Sequence, residues 1–296
     1  MTRSSARRAP FHERYFHYLI LIPALLIMIA LTVYPVINVV QLSFYRYSYA
    51  RGEKAFIGLE NYYRLASDRF FLKGLSNTFQ FTALATVAEL ALGLGLALLF
   101  NTKFRGRRWL LPLVIFPMML STMVVCAVWG AMYHYDYGII NHVLRAVGLS
   151  PVRWLFDPNL ALQSLVLIDL WQWTPMVFLI LLAGLQSIPA EIYEAGRVDG
   201  ASGFRLFRHM TLPLIKRHFL LAVLLRIIDT FKIFDKVYAL TGGGPGDATE
   251  TISLYIYREG FRYFNLGRAA AAAVVMLIAV ILISAVYVRQ VIRGHA

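Results

Sequence analysis

Apolar residues along this chain come in long blocks separated by short charged segments, not at the spacing of a half-buried surface helix. No residue between Tyr18 and Tyr45 is charged, and the block from Gly74 to Phe100 is interrupted only by Glu89. A bilayer core of about 30 Å needs about 20 apolar residues per helical span. The pattern predicts six transmembrane helices, over residues 18–42, 74–100, 110–133, 159–185, 218–240 and 269–288. The fourth carries Asp169, the fifth carries several charges, and the sixth carries none. Helix is the expected state, because lipid does not tolerate unpaired backbone groups and no series of short alternating strands is present. Pro23, Pro35, Pro112, Pro117 and Pro175 fall inside these blocks, where bundle neighbours satisfy the backbone groups they free. The first block is too long for a signal sequence and reads as a retained helix. The expected organisation is an all-α membrane protein: a tail over 1–17, a transmembrane domain over 18–290 and a second tail over 291–296.

Composition sharpens this reading. The chain is 59% hydrophobic and 15% charged, whereas globular domains are about 25% charged. Its net charge of +13 would suit nucleic acid, but the basic residues flank apolar blocks and form no stripe, so lipid is the expected partner and nucleic acid is not. Basic residues are densest in three places. They stand at the start (Arg3, Arg7, Arg8, Arg14), after the second block (Lys103, Arg105, Arg107, Arg108) and after the fourth (Arg197, Arg205, Arg208, Lys216, Arg217). Arg289 and Arg293 follow the sixth block. Positive residues collect on the cytoplasmic side, which places both termini and those two loops there. The single cysteine, Cys126, has no disulfide partner and reads as a small buried hydrophobe.

The cytoplasmic segment between the fourth and fifth blocks, residues 187–217, is the most informative. Ser187 and Pro189 mark a helix start. Glu191 and Glu194 stand in its first turns, where the helix dipole favours negative charge. Asp199 and Gly200 break that helix. A second short helix runs through Phe204 and Phe207 to Met210, with Leu212 and Pro213 leading into the fifth block. Ala195, Gly196 and Gly200 leave room for another backbone to approach.

On pattern alone this is an interfacial amphipathic elbow. Its residues resemble the cytoplasmic loop of ABC-importer permeases: Glu-Ala-Ala, three residues, Gly, nine residues, Ile, one residue, Leu-Pro. Glu194-Ala195-Gly196, Gly200, Met210 and Leu212-Pro213 keep that spacing. Gly196 replaces the second alanine, which loosens the helix by about 1 kcal/mol, and Met210 replaces isoleucine. Phe56-Ile-Gly-Leu-Glu-Asn-Tyr62, the stretch Phe231–Pro245, Ala248-Thr-Glu-Thr251 and Tyr255-Ile-Tyr257 are similar to the carbohydrate group of these permeases.

The resemblance implies a type I importer architecture in the cytoplasmic (inner) membrane and a division of labour. A separate ATPase dimer carries ATP and Mg, and this chain binds no cofactor. Glu194 docks in the ATPase, with Glu191, Ala195, Gly196, Asp199, Gly200, Met210, Leu212 and Pro213 forming the coupling loop. A second permease and an extracytoplasmic solute-binding protein complete the assembly, which moves a sugar, polyol or sugar derivative. The residues agree on one point: no Walker A pattern is present, and no Lys-Ser/Thr follows the glycines at 242–246.

Charges inside the blocks are the remaining candidates. Arg226, Asp229, Lys232 and Asp235 recur every three residues in the fifth block, and Lys236 follows. A charge at mid-bilayer costs about 2.5–3.5 kcal/mol even on lenient scales, so these must pair with one another, face the bundle or meet water. Either they form a paired network that fixes packing, or they line the solute path. Glu89 and Asp169 are available to pair with the cations. Trp171, Gln172 and Trp173 beside Asp169 suit a sugar pathway, since ligand cavities combine apolar walls with a few polar anchors; tryptophans also form interfacial belts. No metal spacing or nucleophile motif supports an enzyme. An ion-coupled secondary carrier using the charged fifth helix is the competing reading.

Overall fold

The computed structural model describes residues 11–48 and 52–293. Arg3, Arg7, Arg8 and the end of the second tail, used above for orientation, lie outside the described residues. The chain opens with α1 (Phe11–Met28), which runs through a π-helical stretch at Ile29–Val33 into α2 (Tyr34–Leu42). A small antiparallel hairpin follows, β1 (Tyr45–Ser48) and β2 (Glu53–Phe56), paired from Tyr45 with Phe56 to Ser48 with Glu53. The sequence pattern did not anticipate it, because four residues per strand carry too little alternation. Asn61 fixes the hairpin to the helix before it, donating to the carbonyls of Ser43 at 2.8 Å and Tyr45 at 2.9 Å.

Next come α3 (Glu60–Ala66) and the long α4 (Arg69–Asn101), whose N-cap Asp68 accepts from the Phe70 and Phe71 amides. The third block is two helices, α5 (Arg107–Met119) and α6 (Thr122–Met132), bent by 99° at the extended residues Leu120 and Ser121. Gln172 covers the break, donating to the Leu120 carbonyl at 3.3 Å. The loop after α6 holds α7 (Ile139–Ala146), and α8 (Ala161–Gln186) stands where the fourth span is expected. The elbow contains α9 (Ala190–Val198), α10 (Gly203–Leu206), a π-helical stretch at Phe207–Thr211 and α11 (Leu212–Leu214).

The fifth block differs most from expectation. It is not one span but α12 (Lys216–Phe231) and α13 (Asp235–Leu240), separated at residues 232–234. The chain ends through α14 (Ile252–Tyr257), a π-helical stretch at Arg258–Arg262, and α15 (Leu266–Arg293). Among the described residues four helices are long and apolar enough to cross a bilayer, and five if the bent α5–α6 pair is one span. The fifth expected span, over 218–240, falls on the broken α12–α13 pair, which is not among them. A break at membrane depth is tolerated where the backbone lines a protein-walled cavity, and such a cavity surrounds it (below).

Two apolar cores stack along α4 and α8 with a charged layer between them. One core gathers Phe81, Ala85, Trp129, Leu165, Ile168, Ile233 and Val237. The other gathers Leu90, Phe100, Phe178, Leu181, Leu185, Ile215 and Ala222, at the end from which the elbow leaves. Glu89, Asp169 and Arg226 fall between the two sets in their own helices, and all three are buried.

Candidate functional site

The elbow and the charged layer are the two ends of one element, α12. The elbow is built around a helix end of known type. Asp199 caps α9, and Gly200 beyond it takes a left-handed φ of +75°. The Gly200 amide donates to the Arg197 carbonyl and the Ala201 amide to the Gly196 carbonyl, each at 3.0 Å. This is the Schellman arrangement, which closes a helix and turns the chain sharply at a glycine. The second arm folds back onto the first. Tyr193 and Thr211 share a hydroxyl contact at 3.1 Å, and Leu206 is buried against α9.

Gly196 sits at the crossing. A Cβ added there would lie 2.5 Å from Leu206 Cδ2 and 2.8 Å from Met210 Sδ. The glycine lets the flexible ends of Leu206 and Met210 pack close against α9, at the cost in helix propensity noted above. The two departures from the family pattern touch each other: glycine at 196 makes the space that methionine at 210 fills. Glu191, Glu194, Ala195, Asp199 and Gly200 are exposed, and among the described residues the three carboxylates have no ion pair. Val198 and Phe204 at the tip are 88% and 71% exposed. Leu212 and Pro213 are exposed at the root, where Ile215 enters the apolar core.

The charged layer joins four helices. Arg226 of α12 donates from Nε to Glu89 of α4 at 2.5 Å and from Nη2 to the same carboxylate at 3.0 Å. Its Nη2 also donates to Asp169 of α8 at 2.6 Å. Asp169 takes a second cation, Lys236 of α13, in a close ion pair. One carboxylate on α8 thus ties together the two halves of the broken fifth span. The four buried charges balance, two against two, as buried charges must. The Arg226 guanidinium also lies 5.5 Å from the Trp173 ring.

Beside this layer is a cavity of about 250 Å³ whose wall includes Thr122, Asp169, Trp173, Arg226, Asp229 and Lys236. Lys232 and Asp235 stand at its rim, and Lys232 pairs with Asp229 at 3.4 Å. Arg226 Nη1 is buried and lacks a hydrogen-bond partner, with Asp229 3.9 Å away. Nε and Nη2 are the nitrogens of the fork that hydrogen-bond carboxylates. Glu89 is fully buried behind Arg226 and serves as its counterweight rather than as wall.

Two expected pathway residues lie elsewhere. Trp171 is on the opposite flank of α8, in an apolar groove with Leu92, Leu96, Pro117 and Trp129. Gln172 is buried at the α5–α6 break. Neither lines the charged cavity. Ten residues from Arg226, Lys236 would lie about 80° from it in a continuous helix, between Asp229 and Lys232 on the charged face; the break at 232–234 instead leaves it buried and paired with Asp169.

An acidic, hinge-locked elbow joined by one helix to a charge-lined intramembrane cavity defines the membrane component of a transport machine. Residues 89–293, more than half of the chain, match the family described as binding-protein-dependent transport system inner membrane component. The chain belongs to that family, and it is a transport subunit and not an enzyme. It is 38% identical over 283 residues to the trehalose/maltose transport system permease protein MalF of Thermococcus litoralis, covering 96% of this chain and 95% of that one. It is 37% identical over 279 residues to the sulfoquinovosyl glycerol transport system permease protein SmoG of Agrobacterium fabrum, covering 94% and 90%. In fold it matches a chain in the crystal structure of a bacterial alginate ABC transporter in complex with alginate pentasaccharide-bound periplasmic protein. There the TM-score is 0.83 at 22% identity, over 93% of this chain and 94% of that one.

Proposed function

We propose that this chain passes a sugar, polyol or sugar derivative through the charged cavity and is driven through its elbow by a separate ATPase. Glu194 is the docking acid, and α9 with its Gly200 turn is the lever. ATP and Mg belong to the ATPase dimer. A second, homologous permease supplies the other half of the path, a solute-binding protein delivers from outside, and both termini are cytoplasmic. The observation that carries this reading is mechanical. The elbow feeds directly into α12, and ten residues further along α12 Arg226 holds α4 and α8 together. A displacement of the elbow therefore bears on the cavity wall without passing through a flexible linker. Asp229, exposed at the wall and bonded only at its edges, is placed to meet the hydroxyls of a solute, while Arg226 Nη1 offers a donor.

The test is ATP-dependent uptake in proteoliposomes holding the complete importer. Glu194→Lys is expected to abolish uptake with the protein still in the membrane, and Asp229→Asn to lower it. Uptake by the wild-type complex should require the ATPase and survive a protonophore. Normal uptake with Glu194→Lys refutes the docking role. Uptake that ignores ATP and collapses with the proton gradient would instead establish the ion-coupled carrier.

A further inference from the structure

The stretch Phe56-Ile-Gly-Leu-Glu-Asn-Tyr62 takes no part in the elbow or the charged layer. It acts at the end of α2. Asn61 donates to the Ser43 and Tyr45 carbonyls, Tyr62 donates to Ser43 Oγ at 2.7 Å, and Gly58 turns the chain at a φ of +57°. Together they pin the β1–β2 hairpin beside the last turn of α2. Between helix and hairpin lies a cavity of about 400 Å³, with Asn38 and Gln41 of α2 on one wall and Tyr45, Lys54 and Phe56 of the hairpin on the other.

Depth, charge and an apolar stripe together select the occupant. The span Ile20–Leu42 has 23 residues, about 34 Å of helix, against a bilayer core of about 30 Å. Asn38 and Gln41, in its last turn or so, therefore stand at headgroup level. The hairpin also carries an unanswered cation. Arg46 and Arg64 both pair with Glu60, whereas Lys54 has no ion pair among the described residues. Its ammonium lies 5.1 Å from the Tyr45 ring and 5.8 Å from the Tyr47 ring, and neighbouring Glu53 stands on the other face of the strand. The Gln41 side chain makes no hydrogen bond among the described residues, and Asn38 commits one N–H to the Tyr34 carbonyl. From this polar end an apolar stripe runs down the span. No residue of α2 is buried, and Leu26, Met28, Leu31 and Tyr34 are each more than 60% exposed.

A carboxylate of a protein partner would answer Lys54 and leave the stripe bare. An apolar helix would cover the stripe and leave Lys54 and the amides without partners. An amphiphile answers both. Lysine binds phosphate as a point charge, and side-chain amides both donate to and accept from ester and hydroxyl groups. We propose that this cavity binds one anionic phospholipid, with its phosphate at Lys54 and its acyl chains along α2. The site does not depend on which solute is carried.

The test uses the complete importer in phosphatidylcholine nanodiscs holding sub-saturating phosphatidylglycerol with a diazirine near the top of one acyl chain. Irradiation and peptide mass spectrometry locate the label. It is expected within residues 34–56, and Lys54→Gln should lower it about fivefold, the weight of one cation near an anionic surface. Arg69→Gln is the control. It removes a positive side chain that is 85% exposed, lies between the same two spans and does not line the cavity, so the label should be unchanged. Excess inorganic phosphate should not displace the lipid, because a free anion gains nothing from the stripe. Absence of label within 34–56, a label indifferent to Lys54→Gln, or an equal loss in Arg69→Gln overturns the proposal. Displacement by inorganic phosphate overturns it too, since the cavity would then hold an anion without a tail.

Discussion

Removing Arg226 is the most informative single change, because its surroundings fix the outcome. The side chain is 1% exposed and makes three hydrogen bonds to two carboxylates. In Arg226→Met the volume is nearly kept, but Glu89 loses its ion-pair partner and remains fully buried. Asp169 keeps Lys236. Breaking a buried pair from one side costs about 3–5 kcal/mol, since an uncompensated charge stays behind. At about 2–4 °C per kcal/mol for a chain of this size, the midpoint of thermal inactivation should fall by about 10 °C. Scanning fluorimetry of the detergent-solubilised importer measures this. Lys232→Met is the control, since its pair with Asp229 is about half exposed on both sides and such pairs contribute about 0–1 kcal/mol. Glu89→Gln added to Arg226→Met should recover part of the loss by removing the orphaned charge. A fall of about 2 °C or less for Arg226→Met, or an equal fall for Lys232→Met, refutes the claim that this layer holds the helices together.

Three other consequences are as direct. Gly196→Ala gains about 1 kcal/mol of helix propensity but meets Leu206 and Met210, and overpacking costs about 1–3 kcal/mol. Uptake per ATP hydrolysed should drop in the single variant and return in Gly196→Ala with Met210→Ile; independent effects of the two changes would contradict the paired packing. Trp173→Ala should impair uptake strongly while Trp171→Ala leaves it near normal, and equal losses in the uptake assay would contradict the cavity assignment. In the loop between α13 and α14, Glu250 pairs with Arg258 at 2.6 Å, yet burial pushes its carboxyl up to about 7 from an ordinary 4.5. A carboxyl raised in the folded state gives stability that is complete below pH 4.5 and lost as pH rises through 7. Thermal midpoints should therefore fall between those values, and Glu250→Gln should remove that component of the slope.

The apolar spans were legible because a bilayer imposes length and composition together, and α4, α8 and α15 stand where the blocks do. The elbow was legible because glycine at a left-handed position and acids in a first turn are local signals. The broken fifth span was not. Residues 232–234 carry no proline or glycine, so nothing local announces the end of α12 at Phe231; a carboxylate from another helix, Asp169, binds both halves across the gap. That tertiary tie also explains why Lys236 is buried against Asp169, and why three charges at i, i+3 steps ended at the rim or wall of a cavity rather than on one buried stripe. Trp171 and Trp173 are two residues apart on α8, hence on different faces, and only the position of α12 tells which face meets the charged cavity. The compensation between Gly196 and Met210 likewise exists only once α10 folds back on α9.

The central claim is that the elbow is grasped by another protein's nucleotide-driven motion. Val198, the most exposed apolar residue at its tip, marks the spot. With Cys126 replaced by serine, Val198→Cys in the assembled importer should form a cross-link to the ATPase subunit through a short bis-maleimide, and ATP should change its yield. A Val198→Cys chain that cross-links to the extracytoplasmic binding protein, or never to the ATPase in an actively transporting complex, would contradict the account.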